Sequence, residues 1–277
     1  MKPFFFIIIV LFFSKLNAQP NCYAFKYYGD TLQYKACKMV EKIDDKYYQF
    51  SREFQEAYDK ALEVCPYFAY GYKEKSVAYL KSGDFVSWKS LMDKAIYYNK
   101  KDNLGYRGWC RYQFFKDYKG AIEDFEELEK LVDDIGYSVN GDYHLQIAKA
   151  ICYSALGEKQ RAVAIINRQL SQKDYPPGWF DYYQLGVTYF ELKEYTNAMK
   201  AFQKQSEIHP LAENLYYISK IYKVQNNSED SEKNRKQAIA LYKEGKYMKD
   251  GYTHHFNKVY LAEMEQDGTD HEKTFGR

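Results

Sequence analysis

Along most of this chain, apolar residues return at intervals of three and four, the period of an amphipathic helix. The clearest stretch is 182–210, "YYQLGVTYFELKEYTNAMKAFQKQSEIHP", which predicts two helices joined by a short polar turn. Gly186 falls inside the first helix and Ala198 inside the second, twelve residues later. A mid-helix glycine costs roughly 1 kcal/mol relative to alanine, so close packing between the two helices is expected to offset it.

The same twelve-residue interval joins Ala150 to Ala162 and Ser219 to Ser231, and it also joins Ser76 to Trp88 and Trp109 to Ala121. A tyrosine follows each first position by three residues: Tyr79, Tyr112, Tyr153, Tyr189 and Tyr222. The steps from Ser76 to Trp109 and from Gly186 to Ser219 are equal, and those from Trp109 to Ala150 and from Ala150 to Gly186 are longer. The longer steps place insertions in loops, at "DDIGYSVNGDY" (133–143) and "KDYPPGW" (173–179), both rich in turn formers. Ala61, one repeat length before Ala95, and the terminator Cys65-Pro66 point to a further, degenerate unit upstream.

These residues resemble the tetratricopeptide repeat, a helix–turn–helix unit of about 34 residues. Tyr182, Leu185, Gly186, Tyr189, Tyr195, Ala198, Phe202 and Pro210 all agree with the family pattern. Departures include Trp88 and Trp109 at small positions, and Gln169 and Gln205 where a late alanine is usual. The resemblance implies an all-α fold: a right-handed superhelical solenoid of antiparallel helix pairs. Its expected divisions are an N-terminal segment at 19–34, an array of about six units over 35–243, and a capping helix with a frayed tail over 244–277. Within the last, Phe256, Val259, Tyr260 and Met264 stand at helical spacing.

The first 18 residues are a separate matter. One lysine, ten apolar residues from Phe4 to Phe13 and a polar run ending at Ala18 form the layout of a cleaved secretory signal. Ten apolar residues fall short of the ~20 a spanning helix needs, so no membrane span is expected after cleavage. An exported protein is the expectation, whether periplasmic, outer-membrane-associated or secreted. Removing Lys2 and Lys15 takes the formal charge from 40 − 38 = +2 to 38 − 38 = 0. A neutral chain supplies no electrostatic reason to expect nucleic acid.

Chemistry is sparse. The sequence has no metal-protease, nucleophile-elbow or phosphate-loop motif, and no residues at metal-ligand spacing. The adjacent pair His254 and His255 would diverge by about 100° on a helix and is expected on a solvated helix surface. No cofactor is implied, and nothing makes a case for an enzyme. Of the five cysteines, Cys110 and Cys152 read as small buried hydrophobes. Cys37 and Cys65 would lie at neighbouring ends of an antiparallel helix pair and are candidates for a disulfide, with Cys22 competing for either partner.

In the family resembled, the first helix of each pair lines a concave groove. Tyr70, Lys73, Tyr106, His144, Phe180, Tyr183, Phe190, Tyr216 and Lys220 are then the candidate partner-binding residues, an aromatic face with a few cations. Some family members hold a partner's terminal carboxylate with asparagines, but Val77 and Cys110 stand at those positions here. The expected function is a non-enzymatic scaffold of the bacterial cell envelope that binds a protein or peptide partner. The alternative is a glycan-binding protein using the same aromatic face.

Overall fold

The computed structural model describes residues 20–267; the expected signal segment and the far end of the tail lie outside them. Among the described residues no strand forms, and a single bridge joins Tyr137 to His144. The chain divides into two compact units, Met1–Tyr98 and Asn99–Arg277.

The first unit contains α1 (Cys22–Tyr27), α2 (Thr31–Val40), α3 (Arg52–Val64), α4 (Ala69–Ser82) and α5 (Phe85–Tyr98). Side-chain oxygens begin the first three helices: Asn21 accepts from the Tyr23 N–H, Asp30 from Gln33 and Ser51 from Phe54. Helices α2 and α3 pack together, as do α4 and α5. Phe54, Tyr58, Ala61, Cys65 and Phe68 are buried in the core. The disulfide here corrects the expected Cys37–Cys65 pair: Cys37 is bonded to Cys22, with Cα atoms 5.5 Å apart. The reason is local, because α1 folds back on α2 and brings Cys22 to Cys37 across a short hairpin. Cys65 ends α3 as a free, fully buried thiol.

The second unit holds four antiparallel pairs. They are α6 (Lys100–Cys110) with α7 (Tyr118–Glu129), α8 (Leu145–Ala155) with α9 (Lys159–Leu170), α10 (Asp181–Glu191) with α11 (Tyr195–Ile208), and α12 (Ala212–Val224) with α13 (Ser228–Lys243). A final helix, α14, covers 261–267.

The small positions do bring backbones together. A Cβ on Gly186 would lie 2.4 Å from Phe202 Cε1, and Ser231 Oγ donates to the Ser219 carbonyl at 2.9 Å. The Trp109 exception is resolved one residue earlier, at Gly108, where a Cβ would meet Phe125 Cε1 at 2.7 Å. Gly108 makes the close approach, which frees Trp109 to fill space against Tyr112 and Tyr143 at centroid distances of 5.3 and 6.0 Å.

A second register lies in the turns. Gly83, Lys116, Gly157, Lys193 and Asn226 all adopt positive φ between 55° and 89°, and each stands seven residues after a first small position. A left-handed residue there ends the first helix and reverses the chain into the second.

Gln205 stands at a late alanine position because its amide meets backbone groups there. Buried Gln205 accepts from the Tyr183 N–H at 3.0 Å and donates to the Trp179 carbonyl at 2.9 Å. It thus fastens the inserted 173–179 loop to the start of α10. The two inserted loops also meet, Tyr137 stacking on Tyr175 at 6.4 Å and 15°.

One expectation fails at the C-terminus. Residues 247–260 are irregular, and only 261–267 are helical. The helical spacing of Phe256, Val259 and Tyr260 is overridden because this segment satisfies its polar groups on other elements. Met264 of α14 is fully buried among Ala212, Tyr216 and Ala238 of the last pair.

Candidate binding face and the segment lying on it

In the second unit, the C-terminal segment lies across the first helices of the pairs. At its near end the Ala212 N–H donates to the Lys246 carbonyl at 2.9 Å, and the Met248 N–H donates to Glu213 Oε1 at 3.0 Å. Further along, Gln184 Nε2 donates to the Phe256 carbonyl at 3.0 Å and Asn257 Nδ2 donates back to Gln184 Oε1 at 2.8 Å. The Tyr183 hydroxyl donates to the Asn257 carbonyl. At the far end Lys116 Nζ donates to the His254 carbonyl at 2.8 Å, and Thr253 Oγ1 to the Gln113 carbonyl at 3.0 Å. Rings fill the spaces between: His255 sits 5.1 Å from Phe180 and 6.2 Å from Tyr143, and Phe256 meets Tyr118 edge-on at 5.8 Å.

His255 is therefore buried in a loop, which corrects its expected place on a solvated helix surface.

The candidate residues divide by location. Phe180 and Tyr183 lie beneath the segment and are buried. His144 is buried too, but as the cap of α8: its Nδ1 accepts from the Gln146 N–H, and its Nε2 meets Asp134 at 2.8 Å. The Asp134 carboxyl is held below its usual range, first by the Gly136 N–H and then by His144. Tyr106 is half-buried on α6. Phe190, Tyr216 and Lys220 come together, with Lys220 Nζ over the rings of Phe190, Tyr216 and Tyr217 at 5.6, 5.4 and 5.4 Å. Burial raises the Tyr216 and Tyr217 hydroxyls well above the ordinary phenol range, so the rings stay neutral beside that cation. Tyr70 and Lys73 belong to the first unit, where Lys73 Nζ lies 5.7 Å from the Tyr70 ring.

Sequence reasoning does not identify Gln184, Glu213 or Lys116 as residues that hold the segment. The one available signal is a polar residue on an otherwise apolar helix stripe, visible at Gln184 in "YYQLG". Nor does it find Asp142, Asp250 and His255, whose ligand atoms all lie within 4.8 Å of one another.

The fold and this face define an all-helical repeat protein. Residues 182–210 match the tetratricopeptide repeat family model, and the fold is that of the tetratricopeptide-repeat structures the chain resembles. No curated protein sequence matches it. Among solved structures, it is similar to PilF of Pseudomonas aeruginosa, with 14% identity over 77% of this chain and 91% of that one and a TM-score of 0.55. PilW, a widely conserved type IV pilus biogenesis factor, shows 16% identity, coverage of 76% and 94%, and a TM-score of 0.58. YrrB, a TPR protein with an unusual peptide-binding site, shows 19% identity, coverage of 68% and 93%, and a TM-score of 0.51.

Proposed function

We propose that this protein is a non-enzymatic scaffold of the bacterial cell envelope that binds an irregular, non-helical segment of a partner protein along its first-helix face. The observation that carries this reading is the chain's own 247–260 segment. Side-chain donors on that face, Tyr183, Gln184 and Lys116, are placed to take backbone carbonyls of a non-helical peptide. Groups that read main-chain carbonyls are indifferent to most of the peptide's side chains, and rings between them add contact area at low entropy cost.

Two further observations support the reading. PilW is a pilus biogenesis factor and YrrB has a peptide-binding site, both consistent with an array that binds protein. The Cys22–Cys37 disulfide suits an oxidising compartment, as does the signal-like start of the chain. Among the described residues no helix is long and apolar enough to cross a membrane.

The half-exposed cluster of Phe190, Tyr217 and Lys220 is the part of the face where a partner segment would first engage. A photo-crosslinking residue placed at Phe190 in the full chain, expressed in its own cells, tests this. The expected result is one defined protein adduct in the envelope fraction, lost when Lys220 is changed to Glu. Residence of the mature chain in the cytoplasm, or an adduct pattern unaffected by Lys220→Glu, would refute the reading.

A further inference from the structure

We propose that Asp142, Asp250 and His255 form a binding site for a divalent first-row metal ion of the zinc class, joining the C-terminal segment to the inserted 133–143 loop. Three atoms within 4.8 Å of one another have a common point no more than about 2.8 Å from each. A small inward movement of the side chains reaches the 2.0–2.2 Å of zinc–nitrogen and zinc–oxygen bonds.

His255 carries the argument. Its ring is 4% exposed, and Nε2 lies 3.0 Å from the Lys249 carbonyl. A carbonyl only accepts, so Nε2 bears the hydrogen and Nδ1 keeps its lone pair. That Nδ1 is buried and has no hydrogen-bond partner. Buried acceptors are rarely left unpaired, and an imidazole whose other nitrogen donates to a backbone carbonyl is oriented as metal-ligating histidines are. Contacts with Phe180 and Tyr143 hold the ring in place.

The carboxylates are arranged to match. Asp250 uses Oδ1 to accept from the Tyr252 and Thr253 N–H groups at 2.7 and 2.9 Å, which fixes its direction and leaves Oδ2 for a ligand. Asp142 accepts from the Asn140 amide within its own loop. Two half-buried carboxylates side by side repel, and the nearby ammonium of Lys116 is already shared between the Gln113 and His254 carbonyls. A divalent cation between the carboxylates relieves that repulsion.

One imidazole nitrogen with two carboxylate oxygens suits zinc, manganese or ferrous iron; calcium and magnesium prefer oxygen alone. Two ligands come from the segment that lies on the first-helix face and one from a loop of the array. Metal binding would therefore tighten that segment in place. The site rests on its own geometry, independent of whether the face takes a partner.

The test uses the untagged full-length chain, stripped of metal and titrated calorimetrically with Zn²⁺. One equivalent should bind, Asp142→Asn should weaken it at least tenfold with helix content unchanged, and His254→Ala should leave it unaltered. Zn²⁺ should also slow amide exchange across 249–256. No binding, equal affinity in Asp142→Asn, or calcium binding as tightly as zinc would overturn the proposal. Should Asp142→Asn fail to fold, the His255 Nδ1 ¹⁵N resonance of the wild-type chain decides: it shifts on Zn²⁺ addition if the site is real and stays if it is not.

Discussion

Gln184 and Asn257 face each other across the join between α10 and the C-terminal segment. Asn257 Nδ2 donates to Gln184 Oε1 at 2.8 Å while Gln184 Nε2 donates to the neighbouring Phe256 carbonyl at 3.0 Å. Asn257 also holds φ at +61°, a conformation asparagine tolerates better than most residues. The two contributions separate by substitution. Asn257→Gly keeps the backbone and loses the amide bond, and should weaken the attachment by about 0.5–1.5 kcal/mol. Asn257→Ala loses both and should cost about 1–2 kcal/mol more. Amide exchange across 253–259 reads the difference, and equal protection in both variants would show that the backbone conformation contributes nothing.

Gly186 tests the packing of the repeat itself. A Cβ there would approach Phe202 Cε1 and Cδ1 at 2.4 and 2.5 Å. Phe202 is fully buried and stacked on Tyr217 at 5.7 Å and 27°, so its ring has nowhere to turn. Alanine at 186 gains roughly 1 kcal/mol of helix propensity but overpacks by about 1–3 kcal/mol, and Gly186→Leu costs more. Gly186→Ala should lower the thermal midpoint, and adding Phe202→Leu should recover part of the loss. A raised midpoint in the single variant would mean the pair is looser than its geometry.

How much of this is legible in the sequence depends on where the information is stored. The small positions and their tyrosines repeat, so Gly186, Ala198 and Tyr189 can be read from spacing alone. The turn register is hidden because its five positions carry glycine, lysine and asparagine, and only the backbone angle is shared. Residues 247–260 read as helix because local apolar spacing ignores partners such as Gln184 and Glu213, which lie far away along the chain. Asp142 and His255 are brought together by that same irregular segment, so no spacing rule links them.

The turn register makes its own prediction. Lys193 holds φ at +61° in an exposed turn, where Gly157 fills the equivalent place between α8 and α9 at φ +89°. A non-glycine residue in this region carries about 1–2 kcal/mol of strain, while glycine loses more freedom on folding, by roughly 0.5–1 kcal/mol. Relief of the strain outweighs that loss, so Lys193→Gly should stabilise by about 0.5–1 kcal/mol and Lys193→Val should destabilise. Urea midpoints at constant slope measure both. Loss of stability in Lys193→Gly would place a contact of the lysine side chain above its backbone strain.

Glu213 links the segment to pH. It is fully buried in the first turn of α12, with Oε1 accepting from the Met248 N–H and Oε2 unpartnered. Burial pushes its carboxyl up from 4.5 to about 7, against the pull of backbone donors and Lys258. The folded state therefore holds this proton more tightly than the unfolded chain. That contribution is complete below pH 4.5, is lost as pH rises from 4.5 to about 7, and is gone above that. At about 1.4 kcal/mol per unit, the loss amounts to a few kcal/mol. Other carboxyls shift in both directions, Asp181 upward by burial and Asp134 downward, so the comparison must be with Glu213→Gln. Glutamine still accepts from Met248 and never ionises. Its advantage over the wild type should grow between pH 5 and 7.5 and then level off, as read from urea unfolding at each pH. Because Met248 opens the segment that lies on the binding face, the protection factors of the amides at 247–250, taken relative to their intrinsic exchange at each pH, should fall over the same pH interval in the wild type and not in the variant. A stability difference that stays constant from pH 5 to 8 would show that Glu213 ionises no later in the folded protein than in the unfolded one.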